Sequence, residues 1–430
     1  MKYKFVNITK LMINLTKYNR HWEKGFFYPY LIKRDAFDSL VVYLKMRQII
    51  EITGLRRTGK STLIFQLINY LIEKRVKRFN LLYFTFDEEQ PTIESLLEEY
   101  SIQTGKDYKK EKIYVFLDEI QKLSGFESQI KVFYDLYPNI KFIISGSTSL
   151  FLRKKSQESL AGRLLSYRLN PLSFNEYLRF RKKEEILIKP LLYKNELDKE
   201  FKIYLYSQFI ESIFLTRPYD KREYFSSIIK KIIFEDLSFV FRFDNPQVLW
   251  RLCQYLAQKP GCLVNNLQLA SEFKINNRTL ALYLSYLEEA FIVKKLYNFS
   301  RNLISSEKRL KKYYLASPSF SASLVDFLEI PTLFENWVVS LSTASYFFRD
   351  PYGHEVDLIL TPDGEKILPI EVKYKKEIKE NDYKNLMIFL NKFSLKQGFI
   401  LYLGNQKKKM TINEKMITLL PYFRWKNFAY

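Results

Sequence analysis

The eight residues from Gly54 to Ser61, GLRRTGKS, fill every fixed position of a phosphate-binding loop, G-x-x-x-x-G-K-[ST]. Gly54 and Gly59 let the backbone curl until successive N–H groups point inward at phosphate oxygens, where side chains would clash. Lys60 would reach the β- and γ-phosphates and Ser61 would ligate Mg²⁺, with Leu55, Arg56, Arg57, Thr58 and Thr62 completing the ATP-binding set. Downstream, IYVFLDEIQKL (113–123) supplies two carboxylates. Asp118 would hold the Mg²⁺ water shell and Glu119 would activate the attacking water, unless the pair simply caps a helix. In KFIISGSTS (141–149), Ser147 or Thr148 could act as a γ-phosphate sensor or belong to an ordinary turn. Arg163, beside Gly162, is a candidate arginine finger in cis or on a neighbouring subunit, with a surface ion pair as the plainer reading.

A second constellation lies near the C-terminus. LFENWVVS carries Glu335, EVDLIL carries Asp357, and ILPIEVKY carries Glu371 and Lys373. Side chains alternate along a strand, so Glu371 and Lys373 share a face. Two carboxylates and a lysine on one sheet face can hold a second divalent metal and activate water for phosphodiester hydrolysis.

Such groups need elements to position them. The apolar IIEI (49–52) reads as a buried strand and residues 61–74 as a helix whose N-terminus adds positive potential at the phosphates. LLYFTF (81–86) and IYVFL read as further buried parallel strands. Residues 181–240 open with the charge run RKKEE and read as a helical lid. Residues 267–296 hold two helix-period stretches around a short polar turn, a helix-turn-helix layout, with Arg278 at the start of the second helix. The two strands that follow, joined by a basic turn, would make a wing on which Lys308, Arg309, Lys311 and Lys312 suit phosphate contacts. Such a module can equally dock protein or serve structure alone.

Composition narrows the chemistry. The chain has 430 residues, two cysteines and two histidines, which excludes most thiol and histidine metal sites and histidine-based triads. A net charge of +22 attracts polyanions, so DNA is the leading macromolecular partner, although lysine-rich surfaces also serve solubility. No apolar run approaches the length of a membrane helix, and a soluble cytoplasmic protein is expected.

The series GLRRTGKST, YVFLDEIQKL, ISGSTSLFL and SLAGRLLSYRLNPLSFNEYL resembles the archaeal-type ATPase family of the AAA+ class, over roughly Ala36 to Phe180. The resemblance implies a parallel sheet with an extra strand between the phosphate-loop strand and the Asp-Glu strand, a place the LLYFTF segment fits. The ordering of FEN, EVDLIL and IEVK resembles the PD-(D/E)XK nuclease superfamily and the C-terminal domain of uncharacterised function that follows archaeal-type ATPases. It implies Asp357 and Glu371 as metal ligands, Lys373 as catalytic lysine and Glu335 as the helix carboxylate. Val356 departs from the proline that the superfamily name places there.

The expected fold is therefore α/β: a P-loop NTPase parallel sheet with a helical lid, then a winged helix and a small restriction-endonuclease-like α/β domain. Expected boundaries are 1–35 for an N-terminal extension, 36–180, 181–240, 241–325 and 326–430. The expected function is an ATP-hydrolysing switch or motor acting on DNA. The alternative is a protein-remodelling or regulatory ATPase, with a protein partner or further copies of itself and a non-cleaving C-terminal domain.

Overall fold

The computed structural model describes residues 13–146 and 160–428, apart from 242, 244, 363 and 365. The chain divides into two compact units, one of residues up to Gly54 with Gly59–Leu169, the other of Leu55–Thr58 with Asn170–Tyr430.

The first unit is built on a five-stranded parallel sheet of β1 (Ile49–Thr53), β2 (Leu81–Thr85), β3 (Ile113–Asp118), β4 (Ile140–Gly146) and β5 (Leu164–Arg168). Every residue of β1, β3 and β4 is buried, because helices cover both faces and leave no side for polar alternation. Period-two geometry sorts the side chains into two cores. Ile50, Ile52, Phe116 and Ile143 pack with helices α1 (Ala36–Tyr43) and α2 (Lys60–Glu73). Ile49, Val115, Leu117, Phe142 and Ile144 pack with α3 (Ile93–Thr104) and α4 (Phe126–Leu136). Each such side chain, fully buried, contributes about 1.5–3 kcal/mol.

The spatial order is β2-β3-β4-β1-β5. A strand does separate β1 from β3, but it is β4; LLYFTF forms β2 at the sheet's edge. That departure from expectation follows from the crossovers: β1 pairs β4 with Ile50 beside Ile143, while β3 pairs β2 with Leu117 beside Phe84.

The segment before Ala36, which carries no interpretable motif, caps this exposed edge. Asn19 Nδ2 donates to the Tyr83 carbonyl at 2.9 Å and its Oδ1 accepts from the Tyr83 N–H at 2.7 Å, replacing the missing strand neighbour. His21 Nε2 and Trp22 Nε1 both lie against the Leu81 carbonyl, at 3.0 and 2.8 Å. Burial pushes the His21 pKa down to about 4, so the ring is neutral near pH 7.

The second unit contains a nine-stranded mixed sheet in the order β13-β14-β12-β11-β10-β9-β7-β8-β6. Three of its strands, β6 (Cys262–Val264), β7 (Val293–Asn298) and β8 (Lys311–Leu315), belong with the helices Pro246–Gln258, Asn266–Glu272 and Asn277–Glu289. The remaining strands are β9 (Tyr346–Arg349), β10 (Glu355–Leu360), β11 (Leu368–Lys373), β12 (Gln397–Tyr402), β13 (Lys408–Ile412) and β14 (Lys415–Pro421). β7 pairs parallel with β9, Tyr297 beside Tyr346, so the stretches 241–325 and 326–430 share one sheet. Between β7 and β8 the chain forms a helix, Leu303–Lys308, where a simple turn was expected; Asn302 Oδ1 caps it by accepting from the Ser305 N–H at 3.3 Å.

The helix Phe174–Phe180 also groups with this unit. Ser173 and Glu176 close a capping box at its start. Its buried face, Phe174 and Tyr177, then meets Phe201, Tyr204 and Tyr422 in one aromatic cluster.

Candidate functional site

The phosphate loop leaves β1 and enters α2 at the C-terminal edge of the parallel sheet, where ligand crevices of open α/β sheets form. Gly54 sits at φ 147°, and a Cβ there would come within 2.3 Å of the Leu169 carbonyl oxygen, so no other residue fits without moving β5. Gly59, at φ 94°, is the left-handed residue from which α2 starts. Lys60 is buried, and its Nζ donates to the Gly54 carbonyl at 3.1 Å. Ser61 and Thr62 lie on the first turn of α2.

Asp118, ending β3, gathers this edge. It accepts from Ser61 Oγ at 2.5 Å, from Tyr83 OH at 3.2 Å, from the Glu119 N–H at 3.0 Å and from Ser145 Oγ. Ser145 is fully buried on β4, next to Asp118 by strand register. Burial, then the adjacent Asp118 charge, holds the Tyr83 phenol far above its ordinary pKa, so it is a permanent donor. Sequence reasoning missed Tyr83 and Ser145. The signal for Ser145 was present, since a strand adjacent to the Asp-Glu strand must place a small polar residue at that edge; Tyr83 shows only once β2 and β3 are paired.

Glu119 has a left-handed backbone, φ 51°, which turns its side chain out of the strand direction, and Gln121 Nε2 donates to its Oε2. Such a conformation in a non-glycine residue is strained and persists where surrounding contacts over-determine it. Ser147 lies outside the described residues.

Arg163 immediately precedes β5 at the opposite end of the sheet, where its carbonyl accepts from the Ile49 N–H at 2.7 Å. About four strand residues, roughly 13 Å, separate that end from the loop. Its guanidinium engages both Asp135 oxygens, at 2.9 and 3.0 Å. The in-cis half of the arginine-finger expectation is therefore corrected: within one chain Arg163 points at Asp135.

The loop's tip groups with the second unit. There Leu55 is buried with Phe209 and Phe225, Arg56 makes a two-pronged pair with Asp236 at 2.5 Å, and Arg57, at φ 64°, lies 3.5 Å from Glu211. Thr58 Oγ1 donates to the Leu55 carbonyl at 2.8 Å.

The second unit does bring the four C-terminal residues together. In the antiparallel pair β10–β11, Leu358 lies beside Ile370, which places Asp357 opposite Glu371. Lys373 Nζ donates to Glu371 Oε1 at 2.6 Å, and the Val372 N–H donates to Asp357 Oδ2 at 2.7 Å. Glu371 is 3% exposed and its Oε2 has no hydrogen-bond partner. Glu335 accepts from Tyr314 OH at 2.7 Å.

Lys312, expected at a wing for phosphate contact, is 4% exposed on β8 instead. Its ammonium pairs with Glu355 and lies 3.6 Å from Glu335. This corrects the expectation: β8 is an interior strand, paired on both edges, and Lys312 faces the carboxylates rather than solvent.

The electrostatics follow from crowding. Part of Asp357's surface reaches solvent, yet protein surrounds its carboxyl. Burial first, then the Glu335 charge, raises its pKa to about 7 against the pull of Lys312 and Lys373. Burial and the Asp357 charge push Glu371 well above the carboxylate range. Burial alone would lower Lys312 and Lys373, but the carboxylates outweigh it and both are raised. Among the described residues no group of three or more His, Cys, Asp or Glu side chains is arranged to hold a metal ion. Lys312, Lys373, Tyr314 and the Val372 N–H already take up part of the carboxylates' accepting capacity, and Glu371 Oε2 is the oxygen left over.

Of the other basic residues expected to meet DNA, Arg278 is exposed at the start of the helix Asn277–Glu289. Arg309 is exposed, with Nη1 donating to the Phe299 carbonyl at 3.2 Å. Lys311 Nζ donates to the Glu307 carbonyl at 2.6 Å, and the Lys308 side chain lies outside the described part of the structure. No helix among the described residues is long and apolar enough to cross a membrane.

Residues 46–178 match the family model of an AAA domain, 211–329 a domain of unknown function (DUF8612), and 333–423 another (DUF4143). An uncharacterised protein of Methanocaldococcus jannaschii is 29% identical over 71% of this chain and 67% of its own length. A second from the same archaeon is 25% identical over 92% of this chain and 91% of its own. The Walker-type ATPase of Pyrococcus abyssi aligns over 71% of this chain and 99% of its own, at 15% identity and a TM-score of 0.45. With a complete phosphate loop on a parallel sheet and a match across both halves of the nucleotide edge, residues 46–178 are an AAA-type P-loop ATPase domain.

Proposed function

We propose that the chain is a Mg²⁺-dependent ATP-hydrolysing switch that acts on DNA through the helix-turn-helix of residues 266–289. One observation carries the first half: Lys60, Ser61, Asp118 and Glu119 converge on one sheet edge, with the Ser61 hydroxyl 2.5 Å from the Asp118 carboxylate. These are adjacent hard oxygen donors, the kind Mg²⁺ prefers. When bound, Mg²⁺ neutralises charge on the transferred phosphoryl group. Lys60 adds a fixed positive charge, and Glu119 would take the proton of the attacking water. Tyr83 and Ser145 fix the Asp118 carboxylate in place.

The order helix, β6, helix, helix, β7, β8 supports a winged-helix reading, as do exposed Arg278 and the net charge of +22. Arg278→Ala should weaken binding of a short duplex about tenfold at low salt, as measured by fluorescence anisotropy. Equal affinity of variant and wild type would remove the recognition helix from the account.

For the C-terminal cluster, metal-assisted phosphodiester cleavage by Asp357, Glu371 and Lys373 is supported by their shared face and by the unpartnered Glu371 Oε2. The alternative, a regulatory or protein-remodelling ATPase with a non-cleaving domain, is favoured by Lys312, which already neutralises Glu355 and Glu335. Mn²⁺- or Mg²⁺-dependent nicking of plasmid DNA, lost in Asp357→Ala, supports cleavage. An inert wild-type protein supports the alternative.

A further inference from the structure

Apart from both carboxylate sites, the second unit contains a cleft of about 660 Å³. It opens between the end of the helix Lys194–Leu205, the start of the helix Pro218–Lys231 and the helix Pro318–Leu324. Its walls are mainly apolar, with Ile203, Tyr206, Pro218, Phe225, Ala322 and Val325. The serines on it are already spent: Ser319 Oγ donates to the Leu205 carbonyl at 3.1 Å and Ser323 Oγ to the Phe320 carbonyl at 2.8 Å. That volume lies within the range of pockets that enclose small organic ligands, about 300–1,000 Å³.

The charges at the cleft do not balance. Lys202, Lys221 and Arg222 line it against one carboxylate, Asp326, which Arg222 takes at 2.7 Å. Among the described residues neither Lys202 nor Lys221 has a carboxylate partner. Lys221 is half-buried, and its Nζ donates to the Ser207 hydroxyl at 2.5 Å. Burial, then the nearby Arg181 charge, lowers its pKa. A cation held against an apolar wall with only a hydroxyl for company is under-compensated, and an anion placed there would restore what desolvation removed.

We propose that this cleft binds an amphiphilic monoanion, an aromatic or medium-chain carboxylate or sulfonate, with its charged head on Lys221 and its apolar body against Ile203, Tyr206, Phe225 and Val325. Neither the ATPase residues nor the C-terminal carboxylates take part. The site is therefore independent of the reading given above.

The test uses the full chain and 1-anilinonaphthalene-8-sulfonate, which carries both required features. Titration should show one saturable site whose dye octanoate displaces and octylamine does not. Lys221→Met should weaken it about tenfold, the usual scale for losing one charge-assisted hydrogen bond. Ala322→Trp, which fills the cleft and leaves every charge in place, should abolish the site. If Lys221→Met fails to fold, Ala322→Trp and the octanoate–octylamine pair decide alone. Unsaturable dye binding, equal displacement by octylamine, or unchanged affinity in either folded variant would overturn the proposal.

Discussion

Glu119 and Asp118 are adjacent in sequence but differ in backbone: Asp118 completes a buried strand and is held by three hydroxyls, whereas Glu119 turns left-handed and takes a hydrogen bond from Gln121. In the function proposed above, the first holds the cation and the second takes the proton. Glu119→Gln should therefore keep ATP binding and reduce turnover by about 10²–10⁴-fold in a phosphate-release assay; unchanged turnover would show that another group is the base. At the other carboxylate cluster the sign is set by burial. Asp357 has a pKa of about 7 in the fold, against about 3.9 unfolded, so the folded form holds the proton more tightly. The stability it contributes is present below pH ~4 and is lost as pH rises through ~7. Melting curves should thus show the apo protein less stable at pH 8 than at pH 5. Asp357→Asn should flatten that difference, and an unaltered pH slope would mean the proton sits elsewhere.

At the scale of elements, the sequence exposed whatever local pattern encodes. IIEI, LLYFTF and IYVFL are strands because predominantly apolar runs of that length suit a sheet covered on both faces, and the loop between β1 and α2 is where its glycines require it. What local pattern could not encode is which strands become neighbours. Hence β4, not LLYFTF, came to lie between β1 and β3, and Lys312 proved to be a buried counter-ion, since only the β7–β9 pairing brings the expected wing onto the C-terminal sheet. The N-terminal stretch offered no motif because its work is done by single side chains on β2's open edge, with Asn19 the chief one. The helix Phe174–Phe180 likewise joined the second unit through an aromatic cluster with no sequence periodicity. Trp337, 2% exposed, packs against Phe201 and Tyr204 of that cluster, and its indole N–H donates to Tyr204 OH at 3.0 Å. Trp337→Ala should destabilise the fold by about 3–5 kcal/mol in chemical denaturation. A loss below ~1 kcal/mol would mean the cluster packs loosely.

For the whole molecule, two features define the account: a nucleotide edge with Lys60, Ser61, Asp118 and Glu119 in place, and an excess of 22 positive charges on a chain with an exposed Arg278 at the start of a helix. If the two belong to one machine, DNA should alter the chemistry of the nucleotide site, because a ligand that binds one state of a switch more tightly must shift its population. The most direct measurement is ATP turnover in Mg²⁺ with and without duplex DNA, with Lys60→Ala as the blank. The account predicts turnover that DNA stimulates and that vanishes in the variant. Turnover that persists in Lys60→Ala, or robust turnover indifferent to DNA at every salt concentration, would contradict it.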